Sequence, residues 1–201
     1  MTRELRSRAL NKHNIKRKRL ALGNEDEYPP ADNMSYLTYD CGLENKSLDT
    51  AITNCGRSSR LDFLYVGSNN ATFTGHFVKE PISSSLVSTA VNKWWMTGEF
   101  HNETMPRGPF IPPENLTPTE NDTSKIPFFQ MAFAATTKLG CAFHICNTSV
   151  VSPSVSFVCT YGPPHVNVGI PLYTNGTPCG ACGGEKSSSC ISGALCNNSV
   201  V

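Results

Sequence analysis

Residues 128–142 read Phe128-Phe129-Gln130-Met131-Ala132-Phe133-Ala134-Ala135-Thr136-Thr137-Lys138-Leu139-Gly140-Cys141-Ala142. The stretch to Leu139 is apolar nearly all round, which predicts a central buried helix over 127–139, stopped by Gly140. Beyond that glycine the pattern changes period. Cys141 to Cys146 and Val155 to Tyr161 alternate as strands do, and Asn147 to Pro153 read as the turn between them. A buried helix therefore runs directly into a pair of strands, and the rest of the chain is read around this pivot.

Upstream, Leu86, Val87, Ala90, Val91, Trp94 and Trp95 recur at helical spacing behind Ser83-Ser84-Ser85, which predicts a helix over about 85–97 with serine caps. Between it and the pivot lies 98–126, with prolines at 106, 109, 112, 113 and 118. A connection of that length reads either as a functional loop or as a glycosylated excursion. Residues 56–82 show no sustained period and read as loop with short extended pieces. Leu43, Leu48, Ala51, Ile52 and Cys55 predict helix over 40–55, with a further helical piece at 32–37 after the break at Tyr28-Pro29-Pro30.

The first helix is expected over 3–20. It holds eight of the chain's 17 basic residues: Arg3, Arg6, Arg8, Lys12, Lys16, Arg17, Lys18 and Arg19. Leu5, Ala9, His13 and Leu20 share one face. The basic residues read as its solvated side. A contact for sulfated glycans, such as a glycosaminoglycan, or for anionic lipid headgroups is the alternative.

Nine Asn-x-Ser/Thr sequons start at Asn33, Asn45, Asn70, Asn102, Asn115, Asn121, Asn147, Asn175 and Asn197, beside nine cysteines. Together they imply a secreted, extracellular glycoprotein made in an oxidising compartment, and they argue against a cytosolic enzyme. The net charge of +1 supplies no field for nucleic acid. No apolar run is long enough for a transmembrane helix. The start, Met1-Thr2-Arg3-Glu4-Leu5, is charged where a secretory leader is apolar, so the chain reads as a mature or trimmed form. An odd cysteine count leaves a free thiol, an intermolecular bridge or a missing partner, and the last is favoured. The four cysteines from Cys179 onward, spaced C-x2-C-x7-C-x5-C in a Gly- and Ser-rich tail, suit two disulfides or a zinc site; the secreted context favours disulfides.

Several motifs now converge. Gln130-Met131 through Thr136-Thr137-Lys138-Leu139-Gly140-Cys141-Ala142 resembles the first signature of the CAP superfamily (cysteine-rich secretory proteins, antigen 5 and plant pathogenesis-related proteins). Val158-Cys159-Thr160-Tyr161-Gly162-Pro163 with Asn167 resembles the second. Pro171-Leu172-Tyr173-Thr174 to Pro178-Cys179 is similar to the family's entry into a cysteine-rich hinge. His13-Asn14 with Arg17 and Leu20 to Gly23 matches its first helix, and Tyr39-Asp40-Cys41 with Leu43, Glu44 and Cys55 its second. The match is most like nematode venom-allergen-like proteins.

That resemblance implies an α+β fold: a three-layer α-β-α sandwich over 3–175, followed by a cysteine-rich hinge-like tail at 176–201. It also implies the bridges Cys55–Cys146, Cys141–Cys159, Cys179–Cys190 and Cys182–Cys196. Cys41 is left unpaired, or paired with an upstream cysteine that this chain lacks.

Many relatives bind a divalent metal with two histidines and two glutamates. Here three of those positions carry Ser68, Thr97 and Pro127, and no histidine stands within the several residues after Cys55, which read Gly56-Arg57-Ser58-Ser59. Zinc needs three or four converging His, Cys, Asp or Glu side chains. No metal, no cofactor and no catalytic residue is therefore expected. Among the histidines, His13 reads as packing, His144 shares a strand face with Cys146, His101 and His165 fall in loops, and His76 is the one candidate ligand left. The family implies a non-enzymatic host-immune modulator that binds sterol or fatty acid, with Phe110, Ile111, Leu116, Phe128, Phe129 and Phe133 as candidate lipid contacts. The alternative is a protein ligand of an integrin-like host cell receptor, and a metal-dependent hydrolase ranks last.

Overall fold

The computed structural model describes residues 1–25, 28–55, 67–75, 82–98, 123–146, 154–162, 166, 169–183 and 189–197. The chain divides into two compact units, each built from several segments. The first comprises Met1–His13, Leu37–Trp94 and Thr136–His165, and the second Asn14–Tyr36, Trp95–Ala135 and Val166–Val201.

In the first unit a four-stranded sheet runs in the order β1 (Thr38–Tyr39), β3 (Lys138–Cys146), β4 (Ser154–Tyr161), β2 (Ser68–Thr74). β1 pairs with β3 in parallel, and the other pairings are antiparallel. Cys141 lies opposite Cys159 in register, and the two form a disulfide.

Helices cover both faces of this sheet. On one face, Trp94 of α3 (Ser84–Met96) stacks on Phe157 with ring centroids 5.7 Å apart. His13 of α1 (Arg3–Ala21) meets Tyr161 on the same face. On the other face lies α2 (Cys41–Thr53). Its Ser47 Oγ donates to the Gly140 carbonyl at 2.8 Å, and its C-terminal end is tied to the sheet by Cys55–Cys146. The resulting order, α2 against sheet against α1 and α3, is the α-β-α layering.

α2 starts where its capping chemistry says it should. Asp40 is extended and accepts from Leu43 N at 2.9 Å, satisfying one orphan amide of the first turn. In the same first turn Glu44 accepts from Arg6 Nε and Nη2, each at 2.7 Å, and from the Tyr39 hydroxyl at 2.6 Å. Burial, then the bond to Glu44, pushes the Tyr39 phenol up. Burial also pushes Glu44 up, but the bonds from Arg6 and Tyr39 and the charge of the N-terminus outweigh it and hold this carboxyl low. Asp40 is held low mainly by the Leu43 amide.

Carboxyls with lowered folded-state values contribute stability that is fully present above the ordinary carboxylate range. That contribution is lost as pH falls through the lowered values. Parent and Glu44→Gln should therefore differ in melting temperature near pH 7 and converge as pH falls below the ordinary carboxylate range. Because Arg6 is partly exposed, added salt should shrink the gap. A gap that stays constant with pH would show that Glu44 acts by shape alone.

The second unit is built around Arg17, which is 0% exposed. Its guanidinium donates to the carbonyls of Ser35, Met131, Phe133 and Ala134. α4 (Ile126–Ala132) follows a short 3-10 turn (Thr123–Lys125). The tail forms a two-stranded ribbon, β5 (Cys190–Ile191) with β6 (Leu195–Cys196), held by Cys179–Cys190 and Cys182–Cys196. Cys41 is exposed and unbridged.

Four sequence expectations are corrected here. The helix at the pivot ends at Ala132 rather than Leu139, and Gly140 lies inside β3. The carbonyls after Ala132 turn to Arg17, and Ala134 N donates to the Leu172 carbonyl, so the backbone finds partners outside the helix. Residues 32–37 are not helical. Asp32, Ser35 and Tyr36 amides go to Thr174, Ala134 and Cys196 carbonyls, all distant in sequence. Residues 68–74 form a full strand, since pairing with β4 overrides the weak strand propensity of Ser68-Asn69-Asn70. Finally, Arg17 is not part of a solvated face.

Candidate functional site

In the second unit α4 presents its aromatic residues to Tyr28 and Trp95. The Phe128 ring lies 4.8 Å from that of Tyr28 and 4.9 Å from that of Trp95. Phe129 meets Phe128 edge-on at 6.0 Å. Lys16 Nζ sits 5.7 Å over the Trp95 ring. Phe128, Phe129 and Phe133 are all buried. Phe110, Ile111 and Leu116 lie outside the described residues, as do His76, His101 and His165.

Gly98 is seated on this ring cluster. Tyr28 Oη donates to the Gly98 carbonyl. Gly98 also packs so tightly on Phe128 that a Cβ there would run into the ring.

Thr97 and Pro127, which the resemblance read from the sequence sets at ligand positions, are used to start α4. Thr97 Oγ1 accepts from Phe128 N at 3.1 Å, and Lys125 at the cap position makes no side-chain cap bond. Pro127 occupies the first turn, where a missing N–H costs nothing. In the first unit, Ser68 lies opposite Thr160 on the sheet, with Oγ buried and without a hydrogen-bond partner. His13, read from the sequence as a packing residue, is 0% exposed. Its Nδ1–H donates to the Ala9 carbonyl at 2.8 Å, and Nε2 accepts from Tyr161 at 2.9 Å. Tyr161 in turn accepts from Asn69 Nδ2 at 2.9 Å. His144 lies opposite Ser156 on β3, one alternation from Cys146.

Gln130 escaped the sequence reading as a site residue. It is 0% exposed, and neither amide atom has a hydrogen-bond partner among the described residues. Its polarity inside an apolar run was the available signal. Arg17 was hidden among seven other basic residues of the same helix, and only its heptad-like spacing from the buried Leu20 and His13 set it apart.

The family model for the cysteine-rich secretory protein (CAP) family matches residues 10–161. The chain belongs to the CAP family. Ancylostoma secreted protein of Ancylostoma caninum is 31% identical to this CAP chain over 196 residues, covering 93% of the chain and 41% of the relative. The crystal structure of Na-ASP-1 superposes with a TM-score of 0.71 at 26% identity, over 98% of this chain and 46% of that one. NaASP2, solved with Zn2+, gives 0.71 at 24% identity over 98% and 97% of the two chains, a likeness of fold. The CAP chain thus spans less than half the length of the first two relatives. It is a CAP protein of the nematode venom-allergen-like type.

NaASP2 was solved with zinc, but the described residues of this CAP chain do not fit a metal. No group of three or more His, Cys, Asp or Glu converges among them. Ser68, Thr97 and Pro127, the positions that the resemblance equates with metal ligands, carry none of the usual donors, and Thr97 and Pro127 are committed to starting a helix. No helix among the described residues is long and apolar enough to cross a membrane.

Proposed function

We propose that this protein is a secreted, non-catalytic CAP protein that carries a sterol or fatty acid and acts in a host. One observation carries the reading: the buried ring cluster of Tyr28, Trp95, Phe128 and Phe129, on which Gly98 packs. Phe110, Ile111 and Leu116 follow Gly98 in the sequence and add apolar side chains to the candidate contacts. Aromatic rings give large apolar area in fixed orientations, which suits a rigid ring system or an acyl chain. Gln130 supports the same reading. An amide buried without a partner costs free energy, and a hydroxyl or carboxyl of a bound lipid would supply what it lacks.

The test is saturable uptake of labelled cholesterol and of labelled palmitate by purified protein. The combined change Phe110→Ser with Ile111→Ser should weaken uptake at least tenfold, about 1.4 kcal/mol. Gln130→Leu should weaken the ligand with the matching polar end while leaving the melting temperature unchanged or higher, because it removes an unsatisfied group. Failure of either ligand to bind the parent at all would end the proposal.

A further inference from the structure

We propose that Asn45 carries an N-glycan whose core sugars cover an apolar stripe on the outer face of α2, and that this glycan is added before α2 packs. The argument starts from α2's own surface. Leu48 and Ile52 are 39% and 47% exposed, one helical turn apart. Single exposed apolar residues are ordinary, but here two are contiguous on one helix. Asn45 is exposed on the same helix, three residues before Leu48 and seven before Ile52. Those offsets place all three on one face, with Ile52 about 10 Å along the axis from Asn45. Helical side chains lean toward the N-terminus, so Leu48 tilts toward Asn45. A chitobiose core has C–H-rich faces and a comparable reach, so it can lie along the stripe.

The third residue of the sequon fixes the timing. Ser47 is 0% exposed. Its Oγ donates to the Gly140 carbonyl at 2.8 Å, lies 2.8 Å from the Thr160 hydroxyl, and accepts from Thr160 N at 3.0 Å. The glycosylating enzyme must engage that hydroxyl in an extended segment. In the folded chain it is closed under the helix, so transfer has to precede the docking of α2 on β3 and β4. Ser47 thus serves first as a recognition group and then as a packing bond.

The experiment uses the whole chain secreted from a eukaryotic cell. Glycopeptide mass spectrometry should find Asn45 occupied in the secreted protein. Enzymatic removal of N-glycans from folded parent should raise binding of an apolar fluorescent dye several-fold. The same treatment of Leu48→Ser/Ile52→Ser should give little rise, and the two proteins should bind dye alike before treatment. This comparison does not require an Asn45 variant to fold. Folded, unglycosylated protein from bacteria should fail as a substrate at Asn45 and become one after denaturation and reduction. An unoccupied Asn45 would overturn the proposal. So would a glycosylated parent that already binds more dye than the double-serine variant by the same factor seen after deglycosylation. Modification of the folded bacterial protein at Asn45 would overturn the timing.

Discussion

Arg17→Met should lower the stability of this protein by on the order of 4 kcal/mol. Each buried carbonyl stripped of its donor costs about 1–3 kcal/mol, and Arg17 serves the carbonyls of Ser35, Met131, Phe133 and Ala134. Ala134 keeps a second donor in Ser35 N, so the main loss falls on the other three. Removing the guanidinium also relieves the cost of burying its charge, which works the other way. Loss of donors wins because the acceptors are backbone and cannot be removed with it, the situation in which breaking one side of a buried polar network is severe.

For a chain of this size the expected fall in melting temperature is about 8–16 °C. Arg17→Lys should recover less than half, since an ammonium cannot spread donors across carbonyls on both sides as a planar fork does. Thermal and urea melts would measure this. A methionine variant within about 1 kcal/mol of the parent would show that water replaces the guanidinium.

Gly140→Ala should cost about 3 kcal/mol or more, although glycine to alanine in a strand ordinarily stabilises. The added Cβ would meet backbone of α2: the Glu44 nitrogen, the Leu43 carbonyl carbon and, at 2.6 Å, the Asp40 oxygen. Backbone cannot rotate out of the way as a side chain can, so α2 has to lift from β3. Lifting it stretches the Ser47 bonds to Gly140 and Thr160 and loads the Cys55–Cys146 link. Gly183→Ala is the matched control. No atom lies within 4 Å of its Cβ, and the change should stay within about 0.5 kcal/mol. Equal melts for the two alanine variants would refute the close approach.

These two residues also mark where the sequence could be read and where it could not. Gly140 stood out, but as the stop of a helix, because glycine after an apolar run is a common C′ signal. Its role as the flat spot on a strand depends on α2, which lies far away in sequence. Arg17 was read as solvated because a basic run is nearly always a wet face. The carbonyls that call it inward come from Ser35 in the coil before β1 and from Met131, Phe133 and Ala134 at and just past the end of α4, and neither stretch is visible from α1. The strand at Ser68–Thr74 was missed for the same reason, since its partner supplies the ordering that its own residues lack.

By itself the sequence determined the family, the mixed helix-and-strand class, the spans of α1, α2 and α3 to within a residue or two, and the alternation of β3 and β4. Those features are written in local periodicity and in short motifs, which need no knowledge of distant residues. Tertiary structure alone decided where the pivot helix ends, which cation is buried, and that Thr97 and Pro127 start a helix. It also decided that Ser47 leaves solvent while Asn45 stays in it. Each of these depends on which backbone groups and side chains from remote segments are left needing partners once the layers close.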